Sequence, residues 1–253
     1  MTFNLSADFV VALALALVRA LAWVSVCPPF SNPAIPRMVK IGLAGSLAFY
    51  AAGYLQHDPL PQSNAQVIVQ IVIQALVGVV LGYVVSLFVS AVAAAGRLID
   101  LFSGINLPQA LDPLSLIQSS IFGQFYNLVL TALLFTSGAV LVIVAGFVSS
   151  FKAVGTSLPP TTLATLSQII TGDVVTFFAA AAEIAAPLIA VLFGTQVVLA
   201  LLAKAAPQIN VFVFGMPLQI IMALVGVSVS MVALPNDVAT LVGRAASQLF
   251  GGP

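Results

Sequence analysis

Ala205-Ala206-Pro207-Gln208-Ile209-Asn210-Val211-Phe212-Val213-Phe214-Gly215-Met216-Pro217-Leu218-Gln219 joins two long apolar runs, and Lys204 stands just before it. Pro207 restricts the backbone and has no N–H to donate, and Gln208 and Asn210 can satisfy backbone groups where a helix ends. The stretch therefore predicts a turn, with Pro207 to Leu218 as the tip and second arm of a C-terminal helical hairpin spanning 205–250. In this reading Gln208 and Asn210 satisfy backbone groups or face a neighbouring subunit and do not bind a substrate.

Outward from that turn the chain is almost uniformly apolar. Of its 253 residues 61% are hydrophobic and 6% charged, with a mean hydropathy of +1.20. Soluble domains carry about 25% charged residues, so the solvent implied here is lipid or a large protein partner. Charges are absent between Asp58 and Arg97, between Asp112 and Lys152, and between Lys204 and Asp237. Each gap exceeds the roughly 20 residues that cross a bilayer core as a helix. The fold class is all-α, apolar and membrane-associated.

Composition also excludes chemistry. Net charge is zero, which gives no electrostatic case for nucleic acid. The single cysteine, Cys27, forms no internal disulfide and supports no cysteine metal cluster; it reads as a small buried apolar residue. His57 is the only histidine, which argues against zinc sites and Ser-His-Asp triads, and it lies in a polar connector. No phosphate loop or nucleophile–base spacing is present, so no metal, cofactor or enzyme activity is expected.

The apolar runs are separated by punctuation. Phe9–Val26 contains Arg19 and is preceded by Asp8, a poor match to a secretory leader. A proline break, Pro28 to Pro36, ends it, and a second helix runs from Arg37 to about Leu55. A third run, from Ala65 to about Ala95, carries Gly78 and Gly82, a GxxxG pair that admits another helix backbone and reads as subunit packing. Gly96, Arg97 and Asp100 are expected to end it, and Arg97 and Asp100, three apart, share a helix face and are placed to form an ion pair.

The next segment, 104–118, is irregular and weakly polar. A helical stretch over 116–150 follows, with Gly123, Gly138 and Gly146 as packing positions. A helix over 161–202 is expected to be interrupted at Pro187. Its acids Asp173 and Glu183 are ten apart, roughly 80° from sharing a helix face, and make no catalytic dyad. The last apolar run ends at Pro235-Asn236-Asp237, where Asp237 caps a final helix.

Three blocks together resemble the flagellar biosynthetic FliR family of type III export-gate subunits and its injectisome counterpart, over nearly the whole length. The first is Arg19 with Cys27-Pro28-Pro29-Phe30 and Ile35-Pro36-Arg37-Met38-Val39-Lys40. The second is Ala95-Gly96-Arg97-Leu98-Ile99-Asp100, then Gly104 and Asp112-Pro113. The third is Ala206-Pro207-Gln208-Ile209-Asn210-Val211-Phe212 with Gly215-Met216-Pro217, whose wording leans flagellar. The chain departs from the family's Gly-His at Gly138-Ala139 and from its late lysine at Gln219, which removes support for roles tied to those side chains and leaves the architecture intact.

The resemblance implies a single domain over 1–253, one subunit of a helical assembly with five copies of FliP and four of FliQ around a protein-conducting pore. It further implies contacts with FlhB, FlhA and the rod protein FliE, unfolded proteins as cargo, and a place in the bacterial inner membrane at the flagellar basal body. Segment 104–118 corresponds to a pore plug. There Gly104, Ile105, Leu107, Leu111 and Leu114 supply an uncharged closing surface, Pro108 and Pro113 limit its conformations, and Asp112 satisfies local N–H groups. Pro207, Gln208, Asn210, Phe212, Gly215 and Pro217 become assembly elements. A polytopic small-solute or ion transporter is the alternative, motivated by Asp173, Glu183 and Lys204; a structural membrane anchor does not account for the ordered motifs.

Overall fold

The computed structural model describes residues 7–55, 63–105, 120–155, 161–208 and 210–250. Eight helices carry them: α1 (Ala7–Val26), α2 (Arg37–Leu55), α3 (Asn64–Ser103), α4 (Ile121–Thr136), α5 (Ala139–Ala153), α6 (Thr161–Ala205), α7 (Val211–Ser230) and α8 (Leu234–Phe250). Among the described residues there is no strand. Five helical segments are long and apolar enough to cross a membrane: Asp8–Val26, Arg37–Leu55, Asn64–Ser103, Val174–Ala205 and Val213–Ser230.

The helix boundaries correct the sequence reading at three places. Gly96, Arg97 and Asp100 do not end α3, which continues to Ser103. Arg97 is a good helix former, and Asp100 finds its partners outside its own helix, so neither breaks the turn. The stretch expected as one helix over 116–150 breaks instead at Ser137–Gly138, where Gly138 adopts φ 73°, a left-handed conformation that favours glycine. Pro187 does not interrupt α6, which runs on to Ala205; the ring costs one backbone hydrogen bond, and the apolar helix tolerates the loss.

The described residues group into two compact units. One gathers Met1–Phe88, Gly138–Val174 and Val242–Pro253; the other gathers Val89–Ser137 and Val175–Leu241. In the first, α1 packs on α2, and α2 on α5. Trp23 stacks on Phe147 at 4.3 Å between ring centroids and also meets Phe30. Gly78 and Gly82 turn toward α1: a Cβ at Gly78 would lie 2.4 Å from the Arg19 carbonyl oxygen, and one at Gly82 would lie 3.1 Å from that of Trp23. The GxxxG pair expected at a subunit interface is thus occupied within the chain by α1.

The first unit also buries a cation. Arg19, fully enclosed within apolar α1, donates from Nε to Gln74 Oε1 (2.6 Å) and from its terminal nitrogens to the carbonyls of Ser150 (3.3 Å), Val154 (2.8 Å) and Gly155 (3.1 Å). These carbonyls belong to the last turn of α5 and the residues after it, where the helix dipole is negative; that of Ser150 also accepts from the Val154 N–H at 2.8 Å. The guanidinium also lies 4.2 Å over the Phe151 ring. A buried charge is tolerable only when its hydrogen-bonding capacity is met, and this fork meets three carbonyls and an amide at once. Cys27 is buried beyond α1, and that burial pushes its thiol well above the usual range.

The second unit contains α7 and the part of α6 from Val175 on, the helices on either side of Pro207. A Cβ on Gly226 of α7 would fall onto the Leu188 side chain of α6. Leu188 and Gly226 lie equally far along the chain from Pro207, as antiparallel arms require. Many large apolar side chains of these arms remain exposed, among them Val197, Val198 and Leu201 on α6 and Ile221, Leu224 and Val225 on α7. Such faces imply lipid or protein neighbours.

Candidate functional site

The segment expected to act as a plug begins and ends in the second unit, and its base is tied shut. α3 ends at Ser103, and Gly104 follows with φ 73°, the left-handed conformation that terminates a helix and that glycine adopts without a Cβ penalty. Ser120 is the N-cap of α4, accepting at Oγ from the Gly123 N–H at 2.9 Å. Of the plug residues, Gly104 and Ile105 are described and half-buried. Leu107, Pro108, Leu111, Asp112, Pro113 and Leu114 lie outside the described residues, as does His57.

Asp100 joins the two ends. Its side chain is completely buried on the last turns of α3. Oδ1 accepts from the Phe122 N–H at 3.1 Å, Oδ2 accepts from the Gly123 N–H at 3.4 Å, and the Ser120 hydroxyl donates to Oδ2. The first N–H groups of α4 have no partner inside their own helix and sit at its positive end, so a carboxylate satisfies donors and dipole together. Gly96, one turn earlier, makes the approach possible. A Cβ there would lie 2.5 Å from the Phe122 carbonyl oxygen and 2.8 Å from Gly123 Cα. Ser103 Oγ donates to the Asp100 carbonyl (3.0 Å), and Gln196 Nε2 of α6 donates to that of Phe102 (2.9 Å), holding the end of α3 to the hairpin.

The expected Arg97–Asp100 ion pair does not form. Arg97 is exposed, while Asp100 turns inward to α4. The reason is energetic: an exposed pair contributes about 0–1 kcal/mol, whereas a buried carboxylate needs several well-placed donors. The third block behaves differently. Pro207 and Gln208 form an exposed turn, and the Asn210 carbonyl starts α7 by accepting from the Val213 and Phe214 N–H groups at 3.1 and 3.4 Å. Gly215 is buried and Pro217 is exposed within α7; the Phe212 side chain lies outside the described ones.

Sequence reasoning missed Ser120, Gln74 and the role of Arg19. For Arg19 the signal was available, since an ionisable residue inside an apolar run is costly and marks a built environment. Gln74, a lone amide in the third run, carried a weaker form of the same signal. Nothing local distinguishes Ser120 from neighbouring Ser119.

A concavity in this unit has a volume of about 570 Å³ and runs between α6, α7 and the start of α8, with Tyr126 of α4 at its wall. Tyr126 and Ser230 share a 2.8 Å hydroxyl–hydroxyl hydrogen bond, and Glu183 and Asp237 both line the space. Partial burial, and then the charge of Glu183, hold the Asp237 carboxyl above its ordinary range. The pairing of these acids, far apart in sequence, was invisible before folding; Asp237 lies in the first turn of α8 rather than before it. Among the described residues no three His, Cys, Asp or Glu side chains come together as metal ligands.

The comparisons with known proteins cover this whole architecture. Residues 10–245 match the family model of bacterial export proteins, family 1. Flagellar biosynthetic protein FliR of Bacillus subtilis (strain 168) is 28% identical over 235 residues, covering 90% of this chain and 91% of that protein. The protein of the same name in Escherichia coli (strain K12) is 29% identical over 220 residues, covering 87% and 82%. That of Aquifex aeolicus (strain VF5) is 26% identical over 227 residues, covering 87% and 85%. The clamp at Asp100 and Ser120, the Arg19 network and the hairpin all fall inside the matched range, and the chain belongs to the bacterial export proteins, family 1.

Proposed function

We propose that this protein is a non-enzymatic subunit of the flagellar type III export gate, a single gate domain in the bacterial inner membrane at the basal body. It lines the protein-conducting pore together with FliP and FliQ, in contact with FlhB, FlhA and, at the far end, FliE. The observation that carries the reading is the family match over residues 10–245, together with relatives named as flagellar biosynthetic proteins. The exposed apolar faces of α6 and α7 suit a subunit flanked on both sides. The clamped base suits a plug at 104–118. A loop whose ends are fixed has few ways to wander, and a mostly apolar loop whose one ionisable residue is Asp112 closes a pore chiefly by packing and dewetting.

Co-expression with FliP and FliQ homologues and purification in detergent tests the assignment; a chain that never enters a defined complex removes it. Deleting 104–118 is expected to raise ion leakage through the assembled gate, and unchanged conductance removes the plug. The transporter alternative requires solute flux in liposomes carrying the isolated chain.

A further inference from the structure

The groove between α6, α7 and α8 combines apolar walls with two acids. Its walls are apolar: Ile184, Leu188 and Val191 on one side, Met222, Val225 and Val229 on the other. At about 570 Å³ it is far larger than an ion or a water requires and matches a site that takes several side-chain or ligand groups. Two carboxylates, Glu183 and Asp237, face into it, and no Lys, Arg or His is among the residues that line it. Lys204, on the same helix as Glu183, is about 30 Å away along the axis, at the turn of the hairpin. Pro187, also in the wall, has no N–H to give the Glu183 carbonyl, so a backbone acceptor there lacks its helical donor.

We propose that this groove receives a helix of a neighbouring gate subunit, apolar on its inserted face and carrying one Lys or Arg whose head reaches Glu183 and Asp237. The inference rests on the reading of the chain as a gate subunit and adds the chemistry of one interface. Charge selects the occupant. Against lipid, two carboxylates in apolar walls would lose hydration with nothing to replace it. Neutralisation by an incoming cation removes most of that cost, and a Lys or Arg stem extends along apolar walls while its head stays polar. The chain's own 106–119 segment is the wrong partner, since it carries Asp112 and no basic residue. Tyr126 and Ser230 already satisfy each other, so they make no competing demand.

The test uses the complex formed with FliP and FliQ homologues. A photo-crosslinking amino acid, p-benzoylphenylalanine, replaces Val225 or Val229, both groove-lining and exposed. The expected adduct joins a different chain, at a peptide in which one Lys or Arg is flanked by apolar residues. The double variant Glu183→Gln with Asp237→Asn is expected to lower adduct yield at least fivefold, while the isolated chain in detergent melts no lower than the parent. An adduct on phospholipid, on segment 106–119 or on a peptide without a basic residue overturns the proposal, as does an unchanged yield in the double variant. These failures leave the complex intact and are distinct from failure to assemble, which overturns the gate reading and this one with it.

Discussion

Replacing Asp100 by Ala isolates the clamp that fixes the base of the 104–118 segment. The substitution removes the acceptor for the Phe122 N–H, the Gly123 N–H and the Ser120 hydroxyl. Gly123 keeps its bond to Ser120 Oγ, and the Ser120 hydroxyl can rotate, so the Phe122 N–H is the group left buried and unpaired. An orphaned buried donor costs about 1–3 kcal/mol. Loss of a buried negative charge at a helix N-terminus costs about 0.5–2 kcal/mol more. The sum, about 1.5–5 kcal/mol, corresponds at about 2–4 °C per kcal/mol to a fall in melting temperature on the order of 3–20 °C for a domain of this length.

Asp100→Asn retains one acceptor oxygen and loses the charge, so its fall should be about half as large. Arg97→Ala is the control, with a change under about 1 °C, because that side chain is exposed and pairs with no acid among the described residues. Thermal unfolding of the detergent-solubilised gate complex reads all three variants. Limited proteolysis within 104–118 reads the local effect, with faster cleavage expected in Asp100→Ala at a temperature where the complex stays assembled. If Arg97→Ala matches Asp100→Ala in either assay, the two residues act as a pair and the clamp is misassigned. If Asp100→Ala melts within about 1 °C of the parent, the carboxylate does not hold the loop base.

Three further outcomes follow from other parts of the fold. Arg19→Met should destabilise the chain by about 2–5 kcal/mol, leaving the Val154 carbonyl and Gln74 Oε1 without a donor while Val154 N–H still serves the Ser150 carbonyl and Gln74 Nε2 the Gly155 carbonyl, and Arg19→Lys should recover only part, because an ammonium cannot reproduce the fork; chemical denaturation in mixed micelles measures both. Gly78→Ala should cost about 1–3 kcal/mol, since its Cβ meets backbone of α1 that cannot yield, whereas Gly42→Ala, with nothing within 4 Å, should gain about 0.5–1 kcal/mol in the isolated chain; equal melting shifts would refute the α1–α3 contact. Asp237 has a carboxyl raised by burial and by Glu183, so the folded chain holds that proton more tightly than the unfolded chain. Stability of the isolated chain should therefore rise as pH falls through the raised value toward the ordinary carboxylate range, and Asp237→Asn should flatten that slope in a melting series across pH.

What the sequence could reveal divides along a physical line. Helix positions followed from apolar runs and proline breaks, because a chain in lipid must satisfy its backbone internally and has little choice but helix. The second helix, Arg37–Leu55, falls where the break at Pro36 and the polar connector after Leu55 place it. The turn at Pro207 was legible for the same reason. The partners of polar side chains were not. Arg97 and Asp100 are neighbours on one helix, and proximity favours a pair, yet whether a carboxylate stays at the surface depends on what lies opposite it. Here that is the start of α4, which α3 meets only because Gly96 lets two backbones touch. Gly78 and Gly82 show the same limit: the spacing announces a close helix contact without saying whether the helix belongs to this chain or another.

These two glycine contacts explain how a chain with few charges builds specificity. Between helices in an apolar solvent, hydrophobic burial distinguishes little, and packing shape with a few polar ties must select the partner. In this protein the two buried charged ties each sit beside a glycine. Gly78 lies against the backbone of Arg19, whose side chain gathers the end of α5. Gly96 lies against Phe122, one turn before the Asp100 that gathers the start of α4. One charge of each sign, each buried, caps a helix end of the polarity that suits it. Between the two capped ends lie α4, the break at Gly138 and α5. The glycine supplies approach, and the charge supplies direction. A groove lined by two acids and by no Lys, Arg or His, as at Glu183 and Asp237, is by the same logic a place where the second half of the pairing comes from another chain.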